Sequence, residues 1–125
     1  MASKILVIED DLFLVKAYEV KLTRAGFTVS IVTDGAAGFK ALDSFKPDLV
    51  LLDLVMPGTD GFEFLRLVQE HPEYQRIPIL VATNLGQESD MARVKDMGVV
   101  DYIVKSDMSL DQLIEKIKKV LKSKS

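Results

Sequence analysis

Leu49-Val50-Leu51-Leu52-Asp53 is a continuous apolar run that stops on a carboxylate, and the same kind of ending recurs along the chain. Ile5–Ile8 stops at Glu9-Asp10, Ile79–Ala82 at Thr83, and Tyr102–Val104 at Lys105. Runs this short and this rich in Ile, Leu and Val read as strands covered on both faces, as in a parallel sheet. Parallel neighbours end on one edge, where open α/β folds bind their ligands. Three carboxylates, a hydroxyl and an ammonium would then converge on one crevice.

Around these runs, strand-like and helix-like segments alternate without a spare linker, repeat or low-complexity stretch. Strands are expected at Lys4–Glu9, Thr28–Val32, Asp48–Asp53, Ile77–Thr83 and Val100–Val104. The second is diluted by Thr28, Ser30 and Thr33. Leu14, Tyr18 and Leu22 share one helix face, and Gly26 sits where a left-handed cap belongs. Asp34-Gly35 opens a second helix carrying Ala37, Ala41, Leu42 and Phe45. Asp60 with Glu63 makes a capping-box pattern for a third, with Phe64, Leu65 and Val68 behind it. A fourth, from Gln87 to Met97 and closed by Gly98, has few apolar positions and is a candidate moving part. Ser109 with Gln112 caps the last, whose apolar stripe is Leu110, Leu113, Ile114, Ile117, Val120 and Leu121.

The chain's 125 residues, 48% hydrophobic and 28% charged, suffice for one domain with a real core. With no cysteine, disulfides and thiolate zinc sites are excluded. No apolar run approaches the roughly 18–20 residues of a membrane span. Met1-Ala2-Ser3-Lys4 leads into the first strand without room for a signal peptide, so a cytoplasmic protein is expected. A formal net charge of -3 creates no global field for nucleic acid. Lysines at 116, 118, 119, 122 and 124 make the tail locally basic, in keeping with the negative end of a helix dipole.

Glu9, Asp10 and Asp53 close together need a cation or raised pKa values, since two like charges about 4 Å apart repel by roughly 4 kcal/mol at an effective dielectric near 20. Hard oxygens without histidine or thiolate select a magnesium-like ion, Mg2+ with Mn2+ as the alternative. A carboxylate can also act as a nucleophile toward phosphorus. Metal, the Lys105 ammonium and the Thr83 hydroxyl could each take one phosphoryl oxygen. The competing reading is local: Asp10 or Asp11 could simply cap the first helix.

Taken in order, Ile8-Glu9-Asp10-Asp11, Leu52-Asp53-Leu54-Val55-Met56-Pro57-Gly58 with Asp60-Gly61, Thr83, and Tyr102-Ile103-Val104-Lys105 resemble the receiver domain of two-component response regulators. The resemblance covers essentially the whole chain and implies a single receiver domain over residues 1–125. It implies a doubly wound, flavodoxin-like (βα)5 fold with a five-stranded parallel sheet in the order 2-1-3-4-5. It makes Asp53 the phospho-acceptor, with Mg2+ held by Glu9, Asp10, Asp53 and the Val55 backbone carbonyl. Thr83 and Lys105 would hold the phosphoryl group, and Thr83 with Tyr102 would form the switch that reshapes helix 4, strand 5 and helix 5. Pro57 and Gly58 would set the geometry of the loop after Asp53.

Three departures from the family's pattern stand out. Val55 and Leu85, two residues after Asp53 and Thr83, offer no side-chain hydrogen bond to an attacking water, so slow dephosphorylation is expected. Asn84 stands where the family usually has Ala or Gly, so narrower access to Asp53 is expected. Ser106 follows Lys105 where proline is common, removing the residue that makes a cis bond accessible there. The expected partners are a histidine kinase or histidine phosphotransfer protein and an unknown downstream protein. No direct nucleic-acid contact or membrane insertion is expected. No DNA-reading module follows the last helix, which favours a stand-alone receiver. Val99 and Val100 lie near the expected output face, a candidate surface for phosphorylation-dependent dimerisation, with Val100 as part of the core the alternative.

Rival readings are weaker. A phosphatase using an aspartyl-phosphate would want an acid at Val55. A flavodoxin-like cofactor binder would want a phosphate-cradling glycine loop after the first strand. A constitutive receiver-like binding module that never turns over phosphate is the remaining alternative. No enzyme activity on an external substrate is expected. His71, before Pro72, reads as solvated, and Phe62, Phe64, Met91 and Met97 as packing.

Overall fold

Each expected strand forms, and each ends at or just before its polar terminator. The computed structural model describes residues 2–56, 60–85 and 88–123. Along the chain run β1 (Lys4–Ile8), α1 (Leu12–Arg24), β2 (Thr28–Val32), α2 (Gly35–Ser44), β3 (Leu49–Leu52), α3 (Gly61–Gln69), β4 (Ile79–Thr83), α4 (Glu88–Lys95), β5 (Asp101–Val104) and α5 (Leu110–Ser123). Short 3-10 turns occupy Pro72–Tyr74 and Lys105–Asp107. The five strands are parallel and ordered β2-β1-β3-β4-β5.

Side-chain alternation along the central strands divides the core in two. Leu6, Ile8, Val50, Leu52 and Val81 face α2, α3 and α4, which contribute Leu42, Phe64, Leu65, Val68 and Val94. Ile5, Val7, Leu49, Leu51, Leu80 and Ala82 face α1 and α5, which contribute Tyr18, Leu22, Leu113, Ile114 and Ile117. Each Leu, Ile or Phe so buried contributes about 1.5–3 kcal/mol of transfer free energy. The dilute composition of β2 is explained by its place at the sheet edge, where its residues are exposed or half-buried.

Boundaries differ from expectation by one or two residues, for local reasons. Pro78 has no N–H to give a ladder, and β4 begins after it at Ile79. Glu9 and Asp53 lie just past β1 and β3, their N–H groups still donating to the Val32 and Ile8 carbonyls at 3.0 Å, at the start of the loops that carry the site.

The caps show which polar residues are committed to structure. Asp11 caps α1, its Oδ1 accepting from the N–H groups of Phe13 at 2.9 Å and Leu14 at 3.2 Å, so Asp10 is left free of that duty. Ser109 and Gln112 form a reciprocal capping box on α5, at 3.1 and 2.9 Å. The box expected at α3 is only half made: Asp60 accepts from Glu63 N–H at 3.0 Å, while the Glu63 carboxylate turns to Arg66. Gly26 (φ +96°) and Gly98 (φ +82°) take the left-handed conformation expected of them.

His71 departs from the solvated reading. It is half-buried, its Nδ1–H donates to the Leu67 carbonyl at 2.7 Å, and its ring meets Phe39 edge-on at 4.9 Å. The Leu67 carbonyl, which also accepts from the Glu70 N–H at 3.2 Å, thereby takes a second donor at the end of α3, and the bond fixes the tautomer. Phe64 is fully buried, whereas Phe62 lies half-buried under the Arg93 guanidinium at 4.0 Å, tying α3 to α4.

Candidate functional site

Register brings the polar strand ends to one level. Ile8 pairs with Leu52, Leu52 with Val81, and Thr83 with Val104. Glu9 and Asp53, one residue beyond the first pair, therefore emerge side by side, and the Asp53 N–H donates to the Ile8 carbonyl at 3.0 Å. Thr83 and Lys105 close the other side. The result is a cleft of about 480 Å3 lined by Glu9, Asp10, Asp53, Val55, Thr83, Asn84, Leu85 and Lys105, with Asp11 at its rim.

One ammonium faces three carboxylates here. Carboxylate oxygens of Glu9, Asp10 and Asp53 lie within 4.8 Å of one another. Lys105 Nζ bridges two of them, pairing with Glu9 Oε1 and lying 3.3 Å from Asp53 Oδ2. The other Glu9 oxygen accepts from the Asp10 and Asp11 N–H groups at 3.1 and 3.2 Å. Glu9 is 2% exposed, and burial pushes its carboxyl above the usual range despite the Lys105 hydrogen bond, with the Asp53 charge adding to the rise. Among the described residues, the cluster's three carboxylates outnumber its one ammonium by two. An all-oxygen donor set with excess negative charge fits a hard divalent cation.

The residues read from the sequence divide clearly. Glu9, Asp10, Asp53, Val55, Thr83, Leu85 and Lys105 come together in the cleft. Val55 is 57% exposed at its mouth, and its N–H approaches Asp53 Oδ1 at 3.4 Å. Thr83 is fully buried, and its Oγ1 accepts from Leu85 N–H at 3.4 Å. Tyr102 is outside the cleft and half-buried, donating its hydroxyl to the Leu85 carbonyl, so the β4–α4 loop is held from both sides. Ser106 sits in the 3-10 turn after β5, joined to Lys105 by a trans bond, and Lys105 reaches Glu9 and Asp53 from there. Pro57 and Gly58 lie outside the described residues.

Gly61 is the residue whose part in the site went unread. A Cβ on it would lie 2.5 Å from the Asp53 carbonyl oxygen and 2.6 Å from the Leu54 Cα, both backbone atoms, and its own N–H donates to the Leu54 carbonyl at 3.0 Å. The first turn of α3 thus presses on the backbone that aims Asp53. The available signal was a glycine directly after the Asp60 cap, where a better helix former costs nothing unless space forbids it. Gly61→Ala is expected to lower stability by about 1–3 kcal/mol and to displace Asp53; a denaturant midpoint equal to that of the wild type would contradict this.

Comparison with known proteins agrees with this geometry. The model of the response regulator receiver domain family matches residues 5–118. The phosphate regulon transcriptional regulatory protein PhoB of Rhizobium meliloti (strain 1021) is 34% identical over 122 residues, covering 98% of this chain and 53% of PhoB. The chain thus spans about half the length of that relative. The BeF3-activated N-terminal receiver domain of Klebsiella pneumoniae RstA superposes with a TM-score of 0.85 at 28% identity, over 94% of this chain and 97% of that one. The Mn2+-bound form of the response regulator Rcp1 does so with a TM-score of 0.79 at 28% identity, over 94% and 91%. A (βα)5 sheet in the order 2-1-3-4-5, an acidic cluster at its carboxyl edge and a family match over nearly the whole length lead to one assignment: the chain belongs to the response regulator receiver domain family.

Proposed function

We propose that this chain is a phosphorylation-controlled signalling switch, one receiver unit over residues 1–125, that accepts a phosphoryl group on Asp53 from a histidine kinase or histidine phosphotransfer protein. The observation that carries the proposal is Asp53 at the end of β3, within 4.8 Å of two further carboxylates and 3.3 Å from the Lys105 ammonium. In the transfer, an Asp53 carboxylate oxygen forms a bond to phosphorus as the bond from phosphorus to the donor's imidazole nitrogen breaks. The electron pair leaves with the imidazole, which can then take up a proton.

Lys105 would hold one phosphoryl oxygen and the Thr83 hydroxyl another. Glu9, Asp10, Asp53 and the Val55 backbone carbonyl would hold a divalent ion, Mg2+ with Mn2+ as the alternative, consistent with the Mn2+-bound Rcp1 relative. When bound, that ion supplies positive charge to the phosphoryl oxygens. Thr83 now accepts from Leu85 N–H while Tyr102 grips the Leu85 carbonyl. Drawing the Thr83 hydroxyl toward a phosphoryl group would therefore move the β4–α4 loop and, through Tyr102, β5. Helix α4 buries only Val94, so little core packing resists its displacement.

The output we propose is a changed α4–β5–α5 face that meets an unknown downstream protein or a second copy of the chain. Val100 is 48% exposed on it, and the Lys116–Asp101 ion pair ties α5 to β5. Direct nucleic-acid contact is not part of this proposal, and a cytoplasmic setting is. No helix among the described residues is long and apolar enough to cross a membrane.

Intact mass after incubation with acetyl phosphate tests the proposal. A gain of about 80 Da that requires magnesium supports it; no adduct on folded protein would leave the constitutive binding module. The adduct's persistence is a second expected result. Val55 and Leu85 present no side-chain donor or acceptor to an attacking water, so decay in magnesium buffer should be slow, and Val55→Asn should accelerate it. A half-life of seconds for the unaltered chain would overturn this expectation.

A further inference from the structure

Behind Lys105, on the α1/α5 side of the sheet, lies a second and quite different space. It is a partly enclosed cavity of about 130 Å3, bounded by α1, β4, β5 and the start of α5. Leu14, Ala82, Ile103, Met108 and Leu113 give it an apolar lining. Its origin lies in side-chain size: on this face β4 presents Leu80 and then the small Ala82, where a larger aliphatic residue would take up more of the space. Tyr18 supplies the polar element. The residue as a whole is 3% exposed and lines the cavity, and its phenol oxygen keeps some contact with solvent rather than being sealed away unpaired. A phenol open to solvent can turn its O–H to a guest that displaces the water beside it.

Lys105 belongs to both spaces. Its ammonium pairs with Glu9 and Asp53 in the acidic cleft, while the same residue forms part of the wall of the apolar cavity. Met108 and Leu110, both half-buried, flank the outer side just after the Lys105–Asp107 turn. An unbranched methionine there can adapt to a guest by changing rotamer.

We propose that this cavity is a binding site for a small uncharged ring compound bearing one hydrogen-bond acceptor, and that its occupancy is coupled to the acidic cleft through Lys105. The volume selects the class of guest: an apolar cavity of about 150 Å3 holds a benzene-sized molecule. The Tyr18 hydroxyl asks for the acceptor. A guest that shifts the Lys105 stem must alter what its ammonium does beside Asp53, and by reciprocity a cation bound in the cleft must alter the guest's affinity.

Cyclohexanone is a suitable probe, with methylenecyclohexane as a partner of the same shape and no oxygen. Titrated into the whole chain and followed by amide and methyl NMR, cyclohexanone should give saturable shifts centred on Ala82, Met108 and Leu113, and should bind several-fold more tightly than the hydrocarbon. Tyr18→Phe should erase that preference while leaving the hydrocarbon's binding intact. Ala82→Leu should fill the cavity and abolish both, and Tyr18→Phe keeps the test decisive if the leucine variant does not fold. Saturating cyclohexanone should change the Mg2+ dissociation constant measurably, and an unchanged constant would overturn the coupling. Linear shifts, shifts scattered over the surface, or a phenol satisfied by water alone with no probe bound would overturn the site.

Discussion

Asp53→Asn is expected to gain no mass from acetyl phosphate under conditions that add about 80 Da to the wild type, and to unfold at higher denaturant concentration than the wild type in metal-free buffer. The first effect is total because an amide is no nucleophile toward phosphorus at this position, and neither Glu9 nor Asp10 can stand in. Glu9 is 2% exposed and committed to Lys105 and two backbone N–H groups. Asp10 belongs to a loop outside the strand register that sets Asp53 beside Lys105.

The second effect follows from electrostatics. Three carboxylates within 4.8 Å share one ammonium, and each like-charge pair near 4 Å costs roughly 4 kcal/mol before screening and counter-ions are considered. Removing one charge while keeping the shape should raise stability by about 1–2 kcal/mol. Adding magnesium should narrow the gap, since the ion relieves the repulsion only where all three carboxylates remain. If the Asn variant is less stable than the wild type in EDTA, the cluster is not strained by its charge.

How much of this was legible beforehand depends on the kind of residue. The core strands announced themselves because both faces of each are covered, leaving uninterrupted Ile, Leu and Val that end where burial ends. The same endings exposed Glu9, Asp53, Thr83 and Lys105 as one edge. What composition could not separate was Asp10 from Asp11: both follow the strand, both can cap, and only backbone geometry assigns the cap to Asp11. Gly61 was unreadable in its role for a similar reason. Its meaning lies in a 2.5 Å approach to a carbonyl eight residues earlier, a tertiary fact with no periodicity. His71 beside Pro72 looked like a solvated helix end, but Phe39, distant in sequence, provides the ring it packs against. The cavity beside Tyr18 depended on an absence of volume at Ala82, which no motif records.

Lys105→Ala should produce the other large effect, and it separates two roles of one ammonium. In the metal-free protein Lys105 is the local counter-ion of Glu9 and Asp53, with its side chain only 13% exposed. Breaking a buried pair from one side costs about 3–5 kcal/mol, because the remaining charge stays desolvated. Protonation of the already raised Glu9 carboxyl will offset part of that loss, so the full penalty should appear well above the ordinary carboxylate range and shrink as pH falls. Magnesium should restore more stability to the alanine variant than to the wild type, since a divalent cation supplies the charge that the ammonium no longer does. Phosphorylation responds differently. An ion in the carboxylate cluster cannot also occupy the place from which Lys105 Nζ would meet a phosphoryl oxygen, so adduct formation should remain about 10²–10³-fold slower even at saturating magnesium. Lys105→Arg keeps the charge, yet its planar fork is broader than a point-like ammonium, so it should recover stability better than rate. Denaturation midpoints and adduct formation, each measured across a magnesium titration, read the two roles independently. Restoration of both by magnesium alone would show that Lys105 supplies only charge, with no particular position.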